Sequence, residues 1–340
     1  MSKIKFRLNK TNFVWLFVLF LLLWFYIMQS VLLAFLGGIL LTYLLYPLVR
    51  YLEKRRRMKR IAAIMLTYLA VFLVLLFIFL YLLPIIHGEL NQLVNDLPRY
   101  FAAMRELVDF YDLWPTLRLS LLSQEFFSRM EGILMQLVQG MAGAIAWAVT
   151  SLINIVLAFA LSFYLLRDYD LLLKGFIELF PAVKRYKVGR FISDVGTAVQ
   201  GFVSGQLVVA VFLSLCISVG LYFLDISYAL LIGVMAGFLG IIPYLGPIAG
   251  AVPAVFLALF SSPFKAVQVI LLFFLLNQIE GNIISPRIVG SKVGLHPLLV
   301  ILAIMIGGKV MGIAGMLLAV PLAAVVRITF LYIWSSLPDG

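Results

Sequence analysis

Of 340 residues, 64% are hydrophobic and only 12% are charged, with a net charge of +11 and a mean hydropathy of +1.12. A soluble domain keeps about a quarter of its residues charged, so polar groups cannot cover this surface and lipid must solvate much of it. The positive charge does not indicate a nucleic-acid partner, because each basic cluster borders a long apolar segment, as cytoplasmic membrane loops do.

Four basic residues (Lys3, Lys5, Arg7, Lys10) precede an apolar run from Phe13 to about Val49. That run is too long for one helix of about 20 residues. Gln29 and Ser30 near its middle predict two helices joined by an extracytoplasmic turn. The lysine-led start lacks a small-residue cleavage site and continues into a second helix, which predicts an uncleaved anchor. Seven more basic residues crowd Arg50 to Arg60. A third helix is expected from about Ile61 to Ile85, which closes an N-terminal region of residues 1–85.

Between Ile86 and Met141 the chain turns polar, with seven acidic residues against four basic ones. Leu90, Leu93, Val94 and Leu97 mark one apolar helical stripe; Phe126, Phe127, Met130, Ile133, Leu134, Leu137 and Val138 mark a longer one. Pro98 and Pro115 are expected to break the pattern between them. Residues 86–141 therefore read as an extracytoplasmic helical insert, lying against the membrane or neighbouring subunits. A fourth membrane helix, about Ala142 to Leu166, leads to a charged cytoplasmic connector, Asp168 to Thr197, with a helix stop at Phe180-Pro181. A fifth helix is expected from about Phe202 to Leu224, ending at Asp225.

Residues 202–335 form the expected transport core. Twelve of the 25 glycines lie between Gly233 and Gly315. Two apolar stretches are interrupted: Tyr228 to Phe260, broken at Ile242-Pro243-Tyr244-Leu245-Gly246-Pro247, and Pro297 to Trp334, broken at Gly307-Gly308-Lys309. Non-helical backbone at membrane depth survives only where protein or a water-filled cavity satisfies it, and paired interrupted segments point to a transporter's binding site. If each stretch enters and returns on one side as a hairpin, the loop Gly281 to His296, with Arg287 and Lys292, lies inside, as positive charge prefers. That favours a re-entrant arrangement.

Asn277, Gln278, Glu280 and Asn282 cluster at the end of an apolar helix, with Asn277 and Glu280 on one face. An ionisable group at membrane depth costs about 2.5–3.5 kcal/mol, which favours a functional reason for it. Glu280 could exchange a proton or bind a cation while the amides bind a polar solute; equally, the helix could end there with the cluster solvated. Pro243, Tyr244 and Gly246 offer freed backbone groups and a phenol, or a rigid kink. Asp225 is a second coupling candidate, more readily a solvated loop residue or cap. Gly233, Gly237, Gly250, Gly307, Gly308 and Gly312 fit small-residue packing or hinges. Lys309 reads as a pathway charge or a snorkelling side chain. Gln200 and Gln206 could line a cavity or simply form the polar face of a packed helix.

The sequence has no G-x-x-x-x-G-K-[ST] phosphate loop, H-E-x-x-H or G-x-S-x-G, so neither an enzyme nor ATP-driven transport by this chain alone is expected. The single Cys216 and the two histidines, His87 and His296, leave no cysteine or histidine metal site and no disulfide framework. No cofactor is expected.

Several ordered elements together resemble the autoinducer-2 exporter family of permease-like membrane proteins. They are Tyr43-Leu-Leu-Tyr-Pro47 before the basic run, Phe163-Tyr164-Leu-Leu-Arg-Asp168, Phe180-Pro181, Ile241-Ile-Pro-Tyr-Leu-Gly-Pro-Ile-Ala-Gly250, Asn277-Gln-x-x-x-Asn282 through Pro286, and Gly307-Gly308 with Gly312, Gly315 and Pro321. The resemblance implies an all-α polytopic bundle of about eight membrane segments, homo-oligomeric assembly as a pentamer, and secondary transport, elevator-like in form. It also implies cell-membrane residence with both termini cytoplasmic. Family substrates differ, so export of a furanosyl signalling molecule or related metabolite stands beside sodium/proton antiport, with Glu280 or Asp225 coupling the ion. A membrane scaffold or sporulation or envelope assembly factor is the expectation of another class.

Overall fold

The computed structural model describes residues 29–110, 152–284 and 294–334, with isolated positions between 129 and 143. The expected first apolar helix, the stripe from Phe126 to Val138, and Pro115, Arg287 and Lys292 lie outside the described residues. Within them the chain is an all-α, multi-pass membrane bundle with no strand. Five helices are long and apolar enough to cross a membrane, and three shorter apolar helices accompany them.

Helices α1 (Gln29–Arg55), α2 (Arg60–Phe77) and α4 (Leu152–Arg167) form a scaffold. Its core is Leu45, Val49, Ala63, Ile64 and Leu166. Thr42 and Ser162 are buried; the Thr42 hydroxyl donates to the Gly38 carbonyl at 2.7 Å and lies 3.2 Å from Ser162 Oγ, its hydrogen-bond partner across the seam. Tyr68 donates to the Phe159 carbonyl at 2.9 Å. Each hydroxyl is thus satisfied inside the bundle, where lipid offers no partner.

The expected end of the third helix at Ile85 is not an end. A π-helical turn, Ile78–Leu82, joins α2 to α3 (Leu83–Phe110), and the Leu83 N–H bonds back to the Ile78 carbonyl. Pro84 lacks an N–H and its ring would clash with the carbonyl four residues back; the wider π turn accommodates both. Pro98 likewise lies inside α3 rather than breaking it. The stripe Leu90, Leu93 and Leu97 is buried, with Val94 packed beside it, in the same core cluster as Leu221, Leu231, Phe256 and Leu257.

After the short α5 (Tyr169–Glu178) the chain turns at Phe180-Pro181, and α6 (Ala182–Phe223) runs unbroken for 42 residues. The second part of the charged connector, from Ala182, and the fifth membrane helix are therefore one rod, roughly 63 Å long at about 1.5 Å per residue. Charge marks where a helix leaves lipid; it does not end the helix. α6 is the axis against which the remaining helices pack: α7 (Ala229–Leu239), α8 (Leu245–Ser261), α9 (Pro263–Ile279, extended by a π turn Glu280–Ile284) and α10 (Pro297–Trp334).

Both interrupted stretches fold back on themselves. Gly246 lies against the Ala236 carbonyl, and Gly250 against the Ala236 methyl, so α7 and α8 are the arms of one hairpin. At about 16 and 25 Å, neither arm alone crosses a hydrocarbon core of about 30 Å. In α10 the helix breaks at Met311 and Gly312, not at the expected Gly307-Gly308-Lys309, which stays helical with its glycines packed against Gly315 and Met316. Backbone of Gly307 meets backbone of Gly315, and Gly294 abuts the Arg327 guanidinium. Contacts near the tip and near the base make residues 297–310 and 313–334 the arms of a second hairpin.

Candidate functional site

The two hairpins approach α6 from opposite ends. In the first, Gly233 sits against Ser214 and Ser218, and Gly237 against Ala210 and Ser214. The hairpin thus starts beside the Asp225 end of α6 and advances toward Gln206. In the second, Tyr332 donates to Asp194 Oδ2 at 2.7 Å and its ring meets Phe191 edge-on, placing its base beside the basic start of α6. They meet in one cluster: Ala198 and Phe202 from α6, Ile242 from the first break, and Ile304, Ala319 and Val320 from the second hairpin.

The first break is built around one buried side chain. Gln206 is 5% exposed, and its Nε2 donates to the Gly240 carbonyl at 2.6 Å. That carbonyl belongs to the last turn of α7, which has no intrahelical donor for it. Tyr244 caps α8 in the left-handed region, at φ 69° and ψ −20°, and its ring is exposed. Ile242 is 2% exposed and Gly246 is buried, so protein fills the inner side of the break in this conformation. The carboxyl end of α7 and the amino end of α8 converge there, giving partial charges of both signs.

The amide-rich end of α9 approaches the same level. Gly250 touches the Phe273 ring, and one turn further along each antiparallel helix lie Gly246 and Asn277. Asn277, Gln278 and Asn282 are exposed and Glu280 is half-buried. Asn282 donates to Gln278 Oε1 at 2.7 Å across one helical turn. Glu280 opens the π turn, and such turns concentrate at functional sites.

Asp225 is not brought to this site. It sits at the other end of α6 with φ 50°, its carboxylate 3.8 Å from Lys265 Nζ. α9 separates Lys265 from Glu280 by roughly 22 Å at about 1.5 Å per residue. Lys309 is exposed beside the second break. Gly308 faces the Met316 side chain, while Gly312 has open space around it and φ +60°. Among the described residues no three His, Cys, Asp or Glu side chains converge on a point that could hold a metal ion.

Two acids within the polar insert also engage the core. Glu89 Oε2 accepts from the Leu231 N–H at 2.8 Å, capping the first turn of α7 from another helix. Asp96 Oδ2 accepts from the Tyr228 hydroxyl at 2.6 Å. Glu89 and Asp96 are seven residues apart, on the face of the Leu93 and Leu97 stripe. That spacing was the available signal.

A family profile described as AI-2E family transporter matches residues 15–334. The provisionally named transport protein YueF of Bacillus subtilis (strain 168) is 30% identical over 306 residues, covering 86% of this chain and 82% of the relative. The similarly named YrrI of the same organism is 27% identical over 333 residues, covering 94% and 92%. The AI-2 transport protein TqsA of Escherichia coli (strain K12) is 38% identical over 106 residues, 31% of each chain.

Proposed function

The chain belongs to the AI-2E transporter family and is a multi-pass membrane transporter, and from that premise we propose that it exports or exchanges a small polar solute by ion-coupled alternating access. The observation that carries this reading is the meeting of two opposed hairpins at Phe202 and Ile242. Each hairpin blocks the path from its own side of the membrane, and separating either from α6 opens a route from that side only. Polar contacts for the solute come from the Pro243-Tyr244-Gly246 break and from Asn277, Gln278 and Asn282. An autoinducer-2-like molecule or a related metabolite has the hydroxyl-rich chemistry that such amides and backbone groups recognise. Glu280 is the coupling carboxylate, since Asp225 lies at the far end of α9.

An elevator-like movement suits the division of the molecule. The scaffold has its own side-chain core, and Gly196 of α6 meets it against the Tyr43 ring of α1, a contact without a bulky side chain on the moving surface. The apolar outer face of α2, including Leu69, Phe72 and Leu73, is available to lipid or to a second copy in a homo-oligomer. On this reading the Arg50–Arg60 end, rich in basic residues, faces the cytoplasmic side of the cell membrane.

Purified protein in sealed vesicles is to be screened with a furanosyl signalling molecule, sodium, protons and small metabolites. Flux of one solute is expected, falling at least tenfold in Gln206→Leu and Asn277→Ala, with ion dependence lost in Glu280→Gln. If all three variants transport and couple like the wild type, the site lies elsewhere.

A further inference from the structure

One built surface has no part in the hairpins. At the basic end of α1 an open groove of about 380 Å³ is lined by Pro47, Arg50, Tyr51, Lys54 and Arg55. The spacing of three, four and seven puts these residues on one helix face. The face presents Pro47 and the Tyr51 ring beside the exposed Leu48, with Arg50 at their level and Lys54 and Arg55 one turn above; among the described residues no carboxylate lines the groove. Aromatic rings steer the guanidiniums: Arg50 lies 5.9 Å from the Tyr46 ring centre and Arg55 5.5 Å from that of Tyr51. Two carboxylates at this end are engaged elsewhere, Asp168 by Arg167 and Asp170 by Arg60.

We propose that this groove binds the phosphate headgroup of an anionic phospholipid from the leaflet at the basic end. Arginine forks match phosphate oxygens in pairs, and Lys54 adds a point charge. Beside Arg50 and below Lys54 and Arg55, the apolar Pro47 and the amphipathic Tyr51 suit the glycerol and first acyl carbons. A soluble anion would use the cations and leave Pro47 and Tyr51 unused, whereas a lipid uses both. Occupancy would hold the end of α1, and with it the scaffold, in fixed register with the membrane surface.

The test uses the full chain in nanodiscs of dioleoyl phosphatidylcholine carrying a minor fraction of dioleoyl phosphatidylglycerol, with retained lipid counted by native mass spectrometry. Phosphatidylglycerol is expected to be retained over phosphatidylcholine, and R50Q/K54Q/R55Q to lower that preference about tenfold or more, as expected for three surface cations near anionic lipid. K174Q/K184Q/K187Q, which removes three exposed cations of the same end, is expected to keep it. R50K/R55K keeps the charge without the forks and is expected to fall between. Four outcomes each overturn the proposal: no preference in the wild type, full retention in the triple variant, equal loss in the lysine control, or complete displacement by millimolar inorganic phosphate. Loss of oligomer mass with unchanged lipid retention overturns it in favour of a contact between copies.

Discussion

In the scaffold, α1 and α4 meet through Leu45, Val49 and Leu166 and through buried hydroxyls that bond across the seam, with one close approach where Gly38 lies against Leu161 and the Ala158 carbonyl. In the core, α6, α7 and α8 come closer still: Gly233 and Gly237 lie against Ser214, Ser218 and the Ala210 carbonyl, and Gly246 against the Ala236 carbonyl and the Gly240 backbone. Lipid is as apolar as leucine, so neither region gains much from hiding hydrophobic surface, and packing quality decides. Interlocked side chains hold one arrangement. Smooth glycine faces allow close approach and leave fewer knobs to lift over when helices slide. On the proposed function that contrast sets a fixed scaffold against a moving core, and substitutions in each can break it.

The largest effect is expected at the second hairpin, where a Cβ on Gly307 would stand 2.8 Å from the Gly315 carbonyl carbon. Backbone cannot swing aside as a side chain can, so Gly307→Leu and Gly315→Leu are expected to cost more than the usual 1–3 kcal/mol or so of overpacking. Little monodisperse protein should be recovered on size exclusion. Wild-type yield from both variants would mean that the arms are not in contact.

Next come two glycines with open space around them and opposite expectations. Gly312 has φ +60° and ψ −141°, a region that only glycine enters freely, so Gly312→Ala is expected to destabilise by about 1–3 kcal/mol. Gly88 sits inside helix α3 with no neighbour within 4 Å, so Gly88→Ala is expected to stabilise by up to about 1 kcal/mol. Thermal unfolding of the two variants side by side checks the sign. Two shifts in the same direction would remove the assignment of Gly312 as a backbone hinge.

A smaller effect separates α3 from both regions. Glu89→Ala removes the cap on the first turn of α7, and Tyr228→Phe removes the donor to Asp96; each is expected to cost about 1 kcal/mol. Hydrogen exchange should quicken in α7 while the scaffold helices stay unchanged. Faster exchange in α1 and α4 instead would make the insert part of the scaffold.

Much of this contrast could be read from the sequence. The glycine-rich final third and its two interruptions predict broken helices, and the structure folds both into hairpins. The Leu90 to Leu97 stripe predicts the buried face of α3. Helix ends were harder to read, since charge after Ile85 and before Phe202 marks the membrane boundary while the backbone continues through it. Pro98 misleads for a related reason: it is tolerated inside a packed helix. Gln206 could not be distinguished from an ordinary polar residue, because its partner, the Gly240 carbonyl, is 34 positions away.

The smallest effect is expected at the turn that closes the scaffold. Arg167 holds Asp168 with a pair of bonds at 2.7 and 2.9 Å and lies over the Tyr164 ring at 4.9 Å, while Arg60 donates to the Leu166 carbonyl at 2.7 Å and pairs with Asp170. The Arg167 guanidinium keeps the Asp168 carboxyl below its ordinary value. A carboxyl depressed in the folded state stabilises above its unfolded value, near 4, and that stabilisation disappears as pH falls through the folded value. Asp168→Asn should therefore melt slightly earlier than the wild type at pH 7, and the two curves should converge in acid. Solvent screens this exposed pair, so the difference should be small and should shrink further in high salt. Solute flux at neutral pH should be unchanged, because the clamp fixes the scaffold and touches neither hairpin. A flux loss as large as that of Gln206→Leu would show that the scaffold turn takes part in the movement, and the division between the two regions would have to be redrawn.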